Sequence, residues 1–189
     1  ADQLWETTMG QEKVLTAPMG LALDPQGRIW VLDGADDHVQ IFSADGEHLE
    51  TWGESGTGEG QFDLGGLGDI AFASNGVFYI ADSENQRVQQ FAPDRSFVRA
   101  WSDAGNRGST SASPAPATVL TRPNAIDVAP DGSVYVSDHE RNVVEHYSAD
   151  GVWLNQSAHF ADKNVGAAKA VETSASLSGA DASNYTVSP

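Results

Sequence analysis

Three aspartates, Asp33, Asp82 and Asp138, each close a short apolar run, and each has a basic side chain within five residues: His38, Arg87 and His139. Such a constellation admits three kinds of chemistry. Histidine and aspartate from neighbouring loops can hold a transition metal. Clustered carboxylate oxygens, as in Asp33-Gly-Ala-Asp36-Asp37, attract Ca2+. An aspartate at a loop start also accepts hydrogen bonds from nearby backbone amides and does no chemistry at all. The five histidines, His38, His48, His139, His146 and His159, contain no His-x-x-x-His pair, so a metal site built from His38 and His139 would need two chains. The Asp33–Asp37 stretch lacks the full spacing of a calcium loop. Recurrence of one Asp per repeat favours the amide-bonding role, and Asp82 and Arg87 read as a pair across their loop. A neutral His38, or Val143 at the corresponding third place, could not form that pair. The sequence has no Gly-x-Ser-x-Gly elbow, phosphate loop or dinucleotide fingerprint.

The elements that must position these residues are repeated. Asp33 to Asp82 is 49 residues, as are Gly27 to Gly76, Phe42 to Phe91 and Trp52 to Trp101. A third copy lies 56 residues further on, with Asp138, Gly132 and Tyr147 in register. The extra length falls in the linker before Pro123, as expected of a surface connection. Each copy predicts four strands. The first is Gly20–Leu23, Ile70–Phe72 or Ala125–Val128, and the second is Ile29–Leu32, Val77–Ala81 or Val134–Ser137. The third is Val39–Phe42, Val88–Phe91 or Val143–Tyr147, and the fourth is Leu49–Trp52, Phe97–Trp101 or Val152–Leu154, so each copy closes on a Trp. Asn-Gly and Asp-Gly turns supply the positive φ that tight hairpins need. The five Trp are expected in the core, with Trp52 and Trp101 on outer strands as candidates for contact with other chains or sugars.

The copies resemble the NHL repeat. The resemblance rests on the first strand, on Tyr-Ile-Ala-Asp82-Ser-Glu-Asn-Gln-Arg87-Val, and on the linker Trp52-Gly-Glu-Ser-Gly-Thr-Gly-Glu-Gly-Gln-Phe62. It spans roughly residues 5 to 155 and implies an all-β fold of three four-stranded β-propeller blades, with Asp33, His38, Asp82, Arg87, Asp138 and His139 in loops at one end of the channel. The family includes scaffolds, RNA binders and a few enzymes, so it does not fix the activity. The segment 1–17, with Leu4-Trp5-Glu6 and Met9-Gly10-Gln11, reads as the last strand and linker of a preceding blade. Propellers close with about 4 to 8 blades, and open edges pair with other chains. Three blades therefore imply a homodimer closing a six-bladed ring, a polymer joined edge to edge, or a piece of a longer protein.

The formal charge is −17, from 27 acidic and 10 basic residues. This argues against nucleic acid, whose binding needs a basic surface, and fits a solvated acidic surface or divalent cations. There is no Cys, hence no disulfide or thiolate site. No run is long enough to span a membrane. The linker Gly108–Thr118 reads as an extended, solvated loop. Asn155-Gln-Ser157 and Asn184-Tyr-Thr186 match the N-glycosylation pattern. The start at Ala1-Asp2-Gln3 fits a mature end left by a small-residue cleavage site.

Beyond the blades (18–155), residues 156–189 change in character. Asp162-Lys-Asn-Val-Gly166 and Leu177–Val187 are similar to half of a β-module from bacterial haemagglutinin-like adhesins, which implies a C-terminal β tail and an extracellular or cell-surface bacterial location. Isolated strand pairs are marginal. The tail, with Tyr185 and Val187 as assembly candidates beside Trp5, Trp52 and Trp101, pairs with its own propeller edge, inserts into a neighbour's edge, or belongs to a longer stalk. The expected function is a secreted, non-catalytic scaffold for protein or glycan interaction and self-assembly. An extracellular filament subunit assembled by strand exchange and a lyase or lactonase-like enzyme with a channel metal are the alternatives.

Overall fold

In the computed structural model, residues 15–102, 120–160 and 171–173 are described, the last group and 155–160 by their backbone alone. All regular structure among them is β, arranged in blades. Blade I is β1 (Pro18–Leu23), β2 (Ile29–Asp33), β3 (His38–Phe42) and β4 (His48–Trp52). A small parallel pair, β5 (Glu54–Ser55) with β6 (Gln61–Phe62), forms the connection to the next blade. Blade II is β7 (Gly68–Phe72), β8 (Phe78–Asp82), β9 (Arg87–Phe91) and β10 (Phe97–Trp101). Blade III is β11 (Pro123–Val128), β12 (Val134–Asp138), β13 (Val143–Tyr147), β14 (Trp153–Phe160) and β15 (Val171–Thr173). Each blade is an antiparallel meander in chain order, the arrangement of propeller blades. No helix is long and apolar enough to cross a membrane among the described residues.

The turns follow the sequence signals. Gly27, Gly76 and Gly132 end the first hairpin of each blade at φ of 77°, 86° and 87°. The loop after the second strand repeats a second device: Asp37, Gln86 and Asn142, each four residues beyond the recurring Asp, all adopt φ near 55°. In the second hairpin Arg95 takes φ 71° where blades I and III have Gly46 and Gly151.

The first strands lie side by side, with β7 packed between β1 and β11. Gly20 in β1 sits so close to β7 that a Cβ there would come within 2.6 Å of the Asp69 Cα. Two apolar cores fill the inter-blade spaces. One joins Trp30, Leu32, Val39 and Ile41 of blade I to Ile70, Phe78, Ile80 and Phe91 of blade II, sealed by Phe62 and Leu64 of the connection. The other joins Tyr79, Ala81, Val88 and Trp101 to Ile126, Val134, Val136 and Tyr147. Each large side chain so buried contributes about 1.5–3 kcal/mol. The cohesion of the fold therefore lives between blades.

Two expectations need correction. The fourth strand of blade III runs to Phe160 instead of ending at Leu154, and β15 adds antiparallel to it, Ala158 opposite Thr173 and Phe160 opposite Val171. A strand edge offers unpaired amides and carbonyls that an adjacent segment can satisfy, so part of the segment read as a tail pairs with its own blade. Trp153 also does not close blade III. It pairs with Tyr147, as Phe97 pairs with Phe91, while the residue opposite Val144 is Ala158, where Val39 and Val88 face Trp52 and Trp101. The hairpin turn sets the register, so the Trp shared by eye is not equivalent in space.

Candidate functional site

The three recurring aspartates are all buried at the end of the second strand, and all hold the chain that enters their blade. Asp33 accepts the amides of Thr16 (2.6 Å), Ala17 (2.8 Å) and Ala35 (3.3 Å). Asp82 accepts the amide of Asp63 at 2.9 Å. Asp138 accepts those of Thr121 (2.6 Å), Arg122 (3.3 Å) and Arg141 (3.1 Å). Burial acts to raise the Asp33 carboxyl, but the three amides and the nearby His38 outweigh it and hold it below the usual carboxylate range. For Asp82 burial prevails, and its carboxyl is pushed up despite its donors.

Around Asp82 a clamp forms on the glycine-rich connection. Arg87 donates to Asp82 (2.7 Å) and to the carbonyls of Thr57 (2.9 Å), Gly58 (2.7 Å) and Gln61 (2.8 Å). Asn85 donates to the Gly56 carbonyl at 2.8 Å and to Asp82. Gln89, wholly buried, accepts the Gly60 amide (3.0 Å) and donates to the Gln61 carbonyl (2.8 Å) and Asp82 (3.0 Å). Asn85 and Gln89 escaped the sequence reading. A signal existed: Gln40, Gln89 and Glu145 occupy one strand position where the alternation calls for an apolar residue. In blade III that place holds a buried carboxylate, satisfied by Arg141 (2.6 Å) and the Trp153 indole N–H (2.8 Å).

The remaining candidates separate. Asp37 accepts the Leu64 amide (2.9 Å) and the Ser55 hydroxyl (2.8 Å), while Asp33 serves the other side of blade I, so Asp33, Asp36 and Asp37 do not converge. His38 is half-buried opposite Asp33, and His139 is exposed on blade III. Among the described residues no group of three or more His, Cys, Asp or Glu could hold a metal ion. The loops at this end are acidic and tied across blades: Arg122 binds Glu84 at 2.7 Å and approaches Glu140 at 3.7 Å, and the Ser83 hydroxyl donates to the Pro123 carbonyl.

Trp52 and Trp101, expected in the core and also candidates for contact with other chains or sugars, pack into the inter-blade cores, Trp101 buried and Trp52 half-buried. The Trp52 ring meets Phe91 at 5.1 Å and Phe62 and Phe78 at 5.7 Å. Trp101 meets Tyr79 at 5.9 Å and Tyr147 at 5.7 Å. Their indoles are large enough to bridge the gap between sheets, which commits their rings to the contact between blades. Trp5, Tyr185, Val187, the linker 108–118 and the Asn184 motif lie outside the described residues. Asp69, also missed by sequence, accepts the amides of Ile126 (3.1 Å) and Ile70 (2.9 Å) and so ties the first strands of blades II and III. Burial raises its carboxyl, and Asp127 adds to that.

A family model described as NHL repeat matches residues 64–91, and one described as YDG domain matches residues 113–189. The fold is similar to several solved β-propellers. Virginiamycin B lyase from Staphylococcus aureus is 15% identical at a TM-score of 0.53, covering 78% of this chain and 43% of that one. A chain of the nidogen/laminin complex is 18% identical at 0.55, covering 82% and 50%. The WD40 repeats of RRP9 are 12% identical at 0.53, covering 77% and 39%. The chain thus spans half or less of the length of these structures, and at such identity the likeness shows the fold alone. The chain carries an NHL repeat and is built of β-propeller blades; the likeness to an adhesin module gains no support from these matches.

Proposed function

We propose that this chain is a non-catalytic β-propeller scaffold of an extracellular or cell-surface protein, which presents rigid loops to protein or glycan partners and works in association with further blades. One observation carries this reading. The carboxylates with the most chemical promise, Asp33, Asp82 and Asp138, are occupied by the amides of the chain entering each blade. Their regular recurrence is explained by architecture and leaves the loops, held by Arg87 and Arg122, as the displayed surface. Glu84, Glu140, Asp36 and Asp37 give that surface an acidic character that suits cationic partners and disfavours nucleic acid. Assembly as a filament by strand exchange is the variant of this reading, in which β15, paired with the edge of its own blade, would pair with that of a neighbouring chain.

The competing reading is a propeller lyase or lactonase-like enzyme, suggested by the likeness to virginiamycin B lyase over 78% of the chain. Elemental analysis of the purified chain, repeated on His38→Ala and His139→Ala, separates the two. The scaffold reading expects no stoichiometric transition metal and no change in either variant. A stoichiometric metal lost in both would overturn it in favour of the enzyme, and the same samples with added Ca2+ test the carboxylates of blade I.

A further inference from the structure

A notch opens between blades I and II at the start of their second strands, the end of the blades away from Asp33 and Asp82. It holds 240 Å3 and is lined by Pro25, Gln26 and Arg28 of blade I and by Ser74, Asn75 and Pro93 of blade II. Gly76 lets the two proline walls close together, since a Cβ there would lie 3.3 Å from Pro93 and 4.0 Å from Pro25. The Arg28 guanidinium is held in this notch from behind. Its Nε–H donates to Asp24 at 2.6 Å, and its Cζ lies 5.6 Å from the centre of the Trp30 ring, a cation–π contact. The Trp30 indole N–H donates to the same carboxylate at 2.9 Å. Burial acts to raise the Asp24 carboxyl, but its hydrogen bonds from Arg28 and Trp30 outweigh it, so Asp24 stays ionised and holds the guanidinium by one edge. Nη1 and Nη2 of Arg28 make no hydrogen bond among the described residues, and the side chain is 42% exposed. The repeat shows that this arrangement exceeds what the turn needs. The bond that closes the hairpin, from the Asp24 amide to the Arg28 carbonyl at 3.0 Å, recurs from Ala73 to Val77 at 2.8 Å and from Ala129 to Ser133 at 2.9 Å, where no ion pair can form. Asn75 and Asp131 cap their own turns by accepting the amides of Val77 (3.1 Å) and Ser133 (2.9 Å). In blade I Asp24 takes that duty toward the Arg28 amide at 2.9 Å. Gln26, at the place of Asn75 and Asp131, is exposed and keeps its side chain unbonded among the described residues.

We infer that this notch is a carboxylate-binding site, in which the Nη1–Nη2 fork of Arg28 takes an Asp or Glu side chain of a protein partner and the amides of Gln26 and Asn75 meet the backbone beside it. This rests on the scaffold reading above and deepens it by naming one contact that a protein partner makes. A planar guanidinium and a carboxylate match as two parallel N–H···O bonds. The charge count selects a monoanion: Arg28 is the one cation among the described residues of the lining, and Asp24 already balances it, so a doubly charged phosphate finds no second cation. The size selects a side chain over a whole small molecule, whose pockets run from about 300 Å3 upward. A protein is favoured over an acidic sugar because Trp30, the ring on which a sugar would stack, is 2% exposed, packed on Phe72 at 5.2 Å and covered by the guanidinium. The chain carries a formal charge of −17, so the segment that brings this carboxylate is otherwise neutral or basic.

The NMR signals of the Trp30 indole N–H and the Arg28 Nε–H report on the site. The probe is the capped peptide acetyl-Gly-Asp-Gly-amide, titrated at constant ionic strength. It is expected to move both signals saturably, with the Asn analogue about tenfold weaker, the worth of one hydrogen bond between charged groups. Gln26→Glu alters an exposed side chain that bonds to nothing among the described residues. It should keep the circular dichroism of the parent and abolish the response by setting a like charge beside the ligand. Arg28→Lys keeps the charge and loses the fork, so it should weaken binding severalfold. Equal binding of the Asp and Asn peptides, a response unchanged in Gln26→Glu, or stronger binding of the Lys analogue would overturn the carboxylate site. Glucuronate that binds more tightly than the Asp peptide would overturn the protein source. None of these outcomes depends on metal content, so the scaffold reading stands or falls separately, on His38 and His139.

Discussion

Arg87 donates its Nε–H to Asp82 at 2.7 Å, and from that anchored position its terminal nitrogens reach three carbonyls of the connection between blades I and II. One guanidinium therefore neutralises a buried carboxylate and fixes a connection in which Gly53, Gly56, Gly58 and Gly60 have no side chain to contribute. Arg87→Ala should destabilise the chain by about 3 kcal/mol, the cost of leaving a buried charge without its partner, and Arg87→Lys should recover only part, because one ammonium cannot reach all four acceptors. Denaturant melts of the three proteins check this; equal midpoints would remove the clamp from the account.

Glycine at position 20 is needed for approach rather than for backbone freedom. A Cβ there meets backbone and side-chain atoms of Asp69 at 2.6 Å. Gly20→Ala should cost about 1–3 kcal/mol through overpacking, and Gly53→Ala should be at least as harmful, since Gly53 has φ 88° and faces the Phe62 ring. Thermal midpoints of the two variants are the measurement.

Trp101 should be the most sensitive single aromatic between blades II and III. Its ring lies against Tyr79 and Tyr147, and the Gly151 turn packs on its face. Trp101→Ala is expected to lose about 3–5 kcal/mol. Near-ultraviolet circular dichroism should report the loss of the cluster while blades I and II keep their strands.

Acid stability should carry two opposite contributions. Asp33 and Asp24 are held below their ordinary values; burial opposes this in both, and hydrogen bonds from Thr16, Ala17 and Ala35 to the first and from Arg28 and Trp30 to the second prevail. Their contributions are present above the unfolded value of about 3.9 and are lost as pH falls through the lower folded values. Asp69 and Asp82 are raised by burial, so the folded chain favours their protonated forms. Their effect is a decline in stability as pH rises from about 3.9 through the folded values. Asp33→Asn should therefore flatten the acid limb below about pH 4, whereas Asp69→Asn should remove part of the decline above it. Chemical denaturation across this range reads both slopes; identical profiles would refute the assignment.

Blade identity and turns were legible because their signals are local. Asn75-Gly76 and Asp131-Gly132 announce positive φ, and apolar alternation announces strands such as Phe97–Trp101, which forms as read. The roles of Asp33, Asp82 and Asp138 were legible as structural, but their partners were not, since Thr16, Asp63 and Thr121 lie 17 or 19 residues away and contribute only amides, which every residue possesses. Asn85 was missed for the same reason, since its partner outside its own loop is the Gly56 carbonyl, whereas Gln89 carried a signal in its polar side chain at an apolar strand place. Trp153 misled because matching by residue type ignores the register set by the preceding hairpin, and β15 was hidden because pairing along an edge uses backbone groups and leaves little side-chain signature.

Elemental analysis of the purified chain tests the central claim most directly, namely that Asp33, Asp82 and Asp138 serve to hold the chain entering each blade. The account predicts no stoichiometric transition metal in the parent chain, and a stoichiometric metal lost in both His38→Ala and His139→Ala would contradict it.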